Sequence, residues 1–212
     1  MIRLSKSVVG KDESRAVAHI IEDIGYLGMG ETVGQFEKEL QDYIGGGRRA
    51  ICVNSGTAAL HLAVQAVTKP GDEVLVPSLT FVASYQAISA AGCIPVSCDI
   101  DPLTLTLDLK DAERRITPKT TAMMPVYYAS NCRMARQYQA FARQHGLRLV
   151  EDAAHAFGCS HEGKKIGSFG DVVCFSFDGI KNITSGEGGA IFTADEEFQD
   201  GVLIRELLIN YV

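Results

Sequence analysis

The sequence has no apolar run long enough to cross a bilayer. Its N-terminal stretch, MIRLSKSVVGKDESR, carries cations but lacks the uninterrupted apolar core of a signal peptide. It also has no basic cluster, because 20 Lys and Arg residues stand against 26 Asp and Glu residues, a net charge of -6. Nucleic-acid binding depends on neutralising phosphates, so neither a nucleic acid nor a membrane is expected as a partner. We expect a cytoplasmic protein.

A C-x-x-C pair is also missing. The six cysteines are scattered along the chain, at Cys52, Cys93, Cys98, Cys132, Cys159 and Cys174. Several lie in or beside apolar runs, where a free cysteine behaves as a small buried hydrophobe. The spacing therefore favours reduced structural thiols over a metal or redox site. We expect no metal.

The sequence contains no internal repeat, low-complexity segment or obvious linker, so we predict one domain over residues 1–212. An N-terminal helical segment is predicted at residues 12–24 and 36–44, on either side of a glycine-rich turn. From residue 50, short β-branched runs alternate with helical patterns. The predicted strands are 50–53, 73–76, 94–97, 121–126, 147–150 and 172–175, and the predicted helices are 57–67, 81–91, 109–116 and 134–145. This alternation predicts a mainly parallel sheet covered on both faces.

The pattern changes after Gly167. Two strand-like runs, 172–177 and 190–193, are joined by a glycine-rich loop that is too short for a crossover helix. A last helix is predicted from about residue 195 to the C-terminus.

Three segments carry residues suited to chemistry. The first, NSGTAAL at residues 54–60, follows a strand and opens a helix, which is how a phosphate is bound by free N–H groups. A simple capped helix start is an equal alternative. The second is VEDAAH, where a strand ends on two carboxylates. Asp152 is a candidate metal ligand, base, helix cap or partner for a protonated ring nitrogen. His155 taken alone is more typical of a structural histidine.

The third segment runs from Cys174 through Lys181 to Gly189. Because Lys181 follows a buried strand in a glycine-rich setting, desolvation would favour its neutral, nucleophilic form. The alternative is a surface loop lysine.

Taken in order, these segments resemble the DegT/StrS sugar-nucleotide aminotransferases, a family of fold-type I enzymes that use pyridoxal 5′-phosphate (PLP). The matching motifs span nearly the whole chain: NSGTAALHLA, PGDEVLVPSLTFVAS, VEDAAHAFG, and FSF followed by KNITSGEGGAI. The resemblance implies a three-layer α/β/α sandwich with a mainly parallel sheet, the PLP-binding large domain of this fold.

The resemblance also implies a role for each matching residue. Gly56 and Thr57, with Ala58 beside them, correspond to the phosphate loop, and Ser176 to a second phosphate ligand. Phe81 is similar to the aromatic residue that stacks on the pyridine ring. Asp152 corresponds to the carboxylate paired with the ring nitrogen, and His155 to the residue near the ring hydroxyl. Lys181 corresponds to the lysine that forms the Schiff base with PLP, so Lys181 and Asp152 are the expected catalytic residues.

The implied reaction is transfer of an amino group, with glutamate as the expected donor, to a keto group of a nucleotide-linked deoxysugar. The products would serve deoxyaminosugar and polysaccharide biosynthesis, and a homodimer is expected. Relatives usually carry histidine where Asp178 and Tyr127 stand, and the sequence assigns these two residues no role. Relatives also continue into a small C-terminal domain that is absent here. The alternative is therefore an incomplete fragment that folds, dimerises and at most binds PLP.

Two enzyme classes fit poorly. A nucleotide-dependent dehydrogenase needs G-x-G-x-x-G between a strand and a helix, whereas Gly28 and Gly30 lie between two predicted helices and Gly34 breaks the spacing. The PLP-dependent sugar dehydratases, close relatives of the aminotransferases, carry histidine at the position of Lys181.

Overall fold

The computed structural model describes residues 7–26 and 30–194. Its strands are β1 Arg49–Val53, β2 Glu73–Pro77, β3 Ile94–Cys98, β4 Thr120–Met123, β5 Arg148–Asp152, β6 Ser160–His161, β7 Lys164–Lys165, β8 Val172–Ser176 and β9 Gly189–Thr193. Its α-helices are α1 Lys11–His19, α2 Glu31–Ile44, α3 Gly56–Val67, α4 Val82–Ala90, α5 Leu109–Arg114 and α6 Ala135–His145. A π-helical stretch, Ile20–Ile24, follows α1, and a 3-10 turn spans Tyr128–Ser130.

One sheet runs through the centre in the order β1-β9-β8-β5-β4-β2-β3. β2, β3, β4, β5 and β8 pair in parallel, whereas β9 is antiparallel to both its neighbours, β1 and β8. The predicted mainly parallel sheet is therefore confirmed. The glycine-rich loop joins β8 to an antiparallel neighbour, as its short length requires.

Helices cover both faces of this sheet. Buried residues of α2 and α6, such as Leu40 and Phe141, pack in one layer. Residues of α3 and α4, such as Leu60 and Ile88, pack in the other. Neighbouring strand residues point to opposite layers, which is the period-two alternation of a strand buried on both sides. The three-layer α/β/α sandwich is confirmed.

The N-terminal helices differ from the prediction in their limits. The helix predicted over 12–24 is α-helical as far as His19 and then π-helical, and it ends at Gly25 in the left-handed conformation. The helix predicted from residue 36 already begins at Glu31. An acidic residue suits the positive end of a helix, and one interior glycine, Gly34, costs too little to break it.

One observed element was not predicted, and one predicted element cannot be compared with the structure. The short hairpin of β6 and β7 was not predicted, because two-residue strands carry no periodicity. The helix predicted from residue 195 lies outside the described residues. Over the described ranges, no helix combines the length and apolar character that a membrane crossing requires.

The start of α3 packs closely against the central strands of the sheet. Ser55 caps the helix by accepting a hydrogen bond of 3.1 Å from the Ala58 N–H. A Cβ placed on Gly56 would lie 2.7 Å from the Cβ of Ser176, and one on Gly189 would lie 2.5 Å from the Ser55 carbonyl oxygen. These two glycines therefore allow the helix start to touch the ends of β8 and β9.

Candidate active site

The carboxyl ends of the parallel strands open into a cavity of about 460 Å³. Open α/β sheets bind their ligands at this edge. The cavity wall includes seven of the eight predicted site residues: Gly56, Thr57, Phe81, Asp152, His155, Ser176 and Lys181. The eighth, Ala58, lies one step along α3, where its N–H is bonded to Ser55.

Asp152 is the last residue of β5 and is buried. Its Oδ2 accepts a hydrogen bond of 2.8 Å from the Ser84 hydroxyl, and its Oδ1 accepts one of 3.2 Å from the Ala154 N–H. Burial raises the pKa of Asp152, while the Ser84 hydrogen bond and the positive charge of Lys181 oppose this shift. A protonated ring nitrogen in the cavity would supply the counter-charge that favours the carboxylate.

The start of α3 forms one end of the cavity. The first N–H groups of a helix have no partner within it, and the helix dipole adds positive potential there. Ser55 already accepts from the Ala58 N–H, whereas Gly56 and Thr57, the first two residues of α3, line the cavity. The Ser176 hydroxyl lies beside them, at the end of β8. The start of α3 is therefore capped by Ser55 and is also suited to binding an anion. The two interpretations of this segment, a phosphate loop and a capped helix start, are compatible.

Phe81 stands at the residue before α4 and is 71% exposed, although it is a large aromatic side chain. It lines the cavity, so its ring offers an apolar surface to a planar ligand.

His155 is half-buried and also lines the cavity. Its Nδ1 accepts a hydrogen bond of 3.4 Å from the Ala129 N–H. Burial lowers the pKa of His155, the charge of Lys181 lowers it further, and Asp152 partly offsets both effects. A neutral imidazole with its proton on Nε2 matches this arrangement.

Lys181 lies in the loop between β8 and β9 and is half-buried. The loop is shaped by Asp178, whose Oδ1 accepts from the Ile180 N–H at 2.9 Å and whose carbonyl accepts from the Lys181 N–H at 3.0 Å. The Asn182 amide ties the loop to the carbonyl oxygens of His155 and Phe157, at 3.1 Å each. Lys181 and His155 are thereby held on two connected loops.

The two positions at which relatives usually carry histidine lie in different places. Asp178 lines the cavity as well as forming its turn. Tyr127 is fully buried in the core layer of α2 and α6, and its hydroxyl donates to Glu151.

Sequence reasoning missed three residues of the site. Ser84 and Thr80 are one helical turn apart, their hydroxyls are 2.7 Å apart, and Ser84 bonds Asp152. Tyr128 lines the wall next to His155, with 6.1 Å between the ring centroids. The only available signal was the position of Thr80 between a predicted strand end and the predicted helix that contains Ser84.

The family model of the DegT/DnrJ/EryC1/StrS aminotransferase family matches residues 8–207. The GDP-perosamine synthase of Caulobacter vibrioides is 48% identical over 171 residues, which are 80% of this chain and 46% of the relative. The dTDP-4-dehydro-2,3,6-trideoxy-D-glucose 4-aminotransferase of Saccharopolyspora spinosa is 39% identical over 199 residues, 93% of this chain and 51% of the relative. This chain thus spans about half the length of these relatives.

A solved structure is similar as well. The PLP-form of Spr1654 from Streptococcus pneumoniae has a TM-score of 0.86 and 31% identity, covering 98% of this chain and 57% of that one. The chain belongs to the DegT/DnrJ/EryC1/StrS aminotransferase family.

Proposed function

We propose that this chain binds PLP in the cavity and that the whole protein transfers an amino group to a keto group of a nucleotide-linked deoxysugar. The observation that carries the proposal is the meeting of Lys181, Asp152 and the start of α3 in one cavity. The name of the Saccharopolyspora relative describes amino transfer to a dehydro sugar on dTDP.

The residues present fit PLP. Gly56, Thr57 and Ser176 offer N–H and hydroxyl donors to a phosphate, and the contact between Gly56 and Ser176 leaves no room there for a Cβ. Asp152 offers a buried carboxylate to the ring nitrogen, and Phe81 an apolar face to the ring. PLP, when bound, supplies an electron sink for the carbanion formed at the amino donor.

The roles of the chain's own groups follow from these positions. The Lys181 amine would be the nucleophile that holds PLP. As an amine in the cavity, its Nζ would also serve as the base and acid that moves the proton of the donor Cα. Asp152 would keep the ring nitrogen protonated, and neutral His155 would be the partner of the ring hydroxyl.

Glutamate as donor, the nucleotide sugar as acceptor and a homodimer complete the proposal. The cytoplasmic location stays a prediction from the sequence.

Amino transfer is the test of this function. The PLP-loaded chain, and a version extended by the C-terminal half of a relative, are incubated with glutamate and with dTDP- or GDP-linked 4-keto sugars. We expect 2-oxoglutarate and an aminated nucleotide sugar, with slower turnover by the short chain, which spans about half the length of its relatives. If PLP were bound but neither protein released 2-oxoglutarate, the assignment as an aminotransferase would be wrong. Equal turnover by the short and the extended chain would contradict the alternative that this chain is an incomplete fragment.

A further inference from the structure

Tyr127 and Glu151 form a hydrogen-bonded pair on the face of the sheet that lies away from the cavity. Both side chains are buried, and the Tyr127 hydroxyl donates to Glu151 Oε1. Glu151 immediately precedes Asp152 in β5, so the alternation of the strand directs the two carboxyl groups to opposite layers. The pair therefore lies directly behind the carboxylate that faces the cavity.

The backbone connects this pair to Asp152. The Asp152 N–H donates to the Pro125 carbonyl at 3.0 Å, and the Tyr127 N–H donates to the Asp152 carbonyl at 3.0 Å. We call residues 125–130 the strap. Both main-chain polar groups of Asp152 are bonded to the strap, and Tyr127 is the strap residue whose side chain reaches the opposite layer.

The far end of the strap reaches His155. Ala129 and Ser130 have φ values of +50° and +66°, a left-handed conformation that residues other than glycine adopt only when contacts hold them. The Ala129 N–H donates to His155 Nδ1, and the Ser130 hydroxyl donates to the His155 carbonyl. The strap thus links Asp152 to His155 and carries Tyr128 in the cavity wall between them.

The second carboxyl oxygen of Glu151, Oε2, lies against the loop at Gly170. A Cβ on Gly170 would collide with Glu151 Oε2, so the loop at Gly170 closes directly on the carboxyl group. Arg48 fixes that loop by donating to the carbonyl oxygens of Gly170 at 2.9 Å and Asp171 at 2.7 Å. Glu151 therefore has little freedom to move, and it offers Tyr127 an acceptor in a fixed place.

We propose that Tyr127 and Glu151 are positioning residues, which hold the strap and through it the carboxylate of Asp152 and the ring of His155 in place for the cofactor. This inference rests on the proposed function, because PLP is the group that the two side chains would meet. It gives Tyr127 a role without contact with the sugar or the cofactor.

The test compares Tyr127→Phe with Tyr138→Phe. Tyr138 is a matched control, because it is also fully buried in the same layer and its hydroxyl donates to the Leu107 carbonyl, at 3.3 Å. Two quantities are measured: the hydrogen exchange of the backbone amides of residues 127 and 152, and the dissociation constant of PLP from its absorbance.

Tyr127→Phe should speed exchange at both amides and weaken PLP binding by about tenfold relative to Tyr138→Phe, the loss expected from one hydrogen bond. Glu151→Met, which removes the acceptor at similar volume, should give the same losses. Glu151→Gln keeps an acceptor oxygen and should stay near wild type. Tyr127→Phe removes the donor of this hydrogen bond and Glu151→Met removes its acceptor, so the test stays decisive if one of the two variants does not fold.

Equal exchange in Tyr127→Phe and Tyr138→Phe would overturn the inference. So would faster exchange with unchanged PLP affinity, since the pair would then be merely structural. A wild-type chain that binds no PLP would contradict the proposed function instead, and the exchange comparison would then decide by itself whether the pair holds Asp152.

Discussion

Asp152 and Glu151 are adjacent in β5, yet their carboxyl groups meet different surroundings. Asp152 faces a cavity and accepts from Ser84 and Ala154, whereas Glu151 faces the closed core and accepts from Tyr127. Burial raises the pKa of both, and for Glu151 it does so to about 8. A charge brought into the cavity can stabilise ionised Asp152, while Glu151 has only fixed neighbours.

Replacing Asp152 by Asn should preserve the fold and slow the half-reaction with glutamate. Losing one partner of a buried ion pair costs about 3–5 kcal/mol, so the rate should fall by about a hundredfold or more. Stopped-flow absorbance of bound PLP in an extended chain measures it. Asp101→Asn, a matched change outside the cavity, should react at the wild-type rate. An Asp152→Asn rate equal to that of this control would show that the ring nitrogen has another partner.

The pKa of Glu151 predicts a pH-dependent stability. Because this pKa rises from 4.5 in the unfolded chain to about 8 in the folded one, the contribution of Glu151 is complete below pH 4.5 and is lost as pH rises through 8. Relative to Glu151→Gln, the wild type should lose up to about 1.4 kcal/mol of unfolding free energy per pH unit in this window. Urea titrations at pH 5, 7 and 8.5 measure the difference. A constant difference between the two proteins would mean that Glu151 is ionised when folded.

The identities of the site residues could be predicted from the sequence more completely than the contacts between them. Lys181, Asp152 and His155 follow strand ends in an order that matches a family, so their meeting was expected. Ser84 was missed because β4 lies between β2 and β5 in the sheet, and that order is not written in the sequence. The left-handed conformation of Ala129 and Ser130, next to the buried Tyr127, is one that no local residue preference favours.

At the scale of elements, the contact between the start of α3 and the end of β8 builds the end of the cavity that is proposed to bind the phosphate. Gly56 makes this contact possible, since its missing Cβ would lie 2.7 Å from Ser176.

Gly56→Ala should push α3 away from β8. We expect a loss of about 1–3 kcal/mol in unfolding free energy, as for other overpacked sites, together with weaker PLP binding. Gly34→Ala is the control, because a Cβ there meets nothing within 4 Å and alanine favours the helix interior by about 1 kcal/mol. Urea denaturation and PLP titration of the two variants make the comparison. If Gly56→Ala bound PLP as tightly as Gly34→Ala, the phosphate would bind elsewhere.

The limits of elements with strong periodicity were predicted, whereas the places of strands in the sheet, which depend on long-range pairing, were not. β2 and α3 were expected within one residue of their observed limits, because their apolar patterns are continuous. The place of β1 at the sheet edge, antiparallel to β9, depends on a partner about 140 residues away. Arg48 contributes to that edge by donating to the Phe192 carbonyl, a contact that no local pattern predicts.

At the scale of the whole molecule, the interface of the proposed homodimer is expected near the cavity. Phe81 and Ile180 are large apolar side chains that line the cavity and remain exposed, and the exposed Val82 directly follows Phe81. Apolar groups grouped in this way are typical of an interaction surface.

We therefore predict that the 22.9 kDa chain sediments as a dimer and that Val82→Asp shifts it toward the monomer, because a charge would be buried in the interface. Val8→Asp, at an exposed site on the N-terminal segment, is the control and should leave the mass unchanged. Sedimentation equilibrium gives both masses. A wild-type chain that is monomeric at micromolar concentration would refute the dimer.

The central claim is that Lys181 holds PLP in this cavity, and chemical trapping tests it most directly. The chain is loaded with PLP, reduced with borohydride, digested and mapped by mass spectrometry. We predict a single pyridoxyl label on the peptide that contains Lys181. Lys181→Arg should abolish the label, while Lys164→Arg and Lys165→Arg, on the hairpin strand β7, should keep it. Label on Lys164 or Lys165, or label that persists in Lys181→Arg, would contradict the claim.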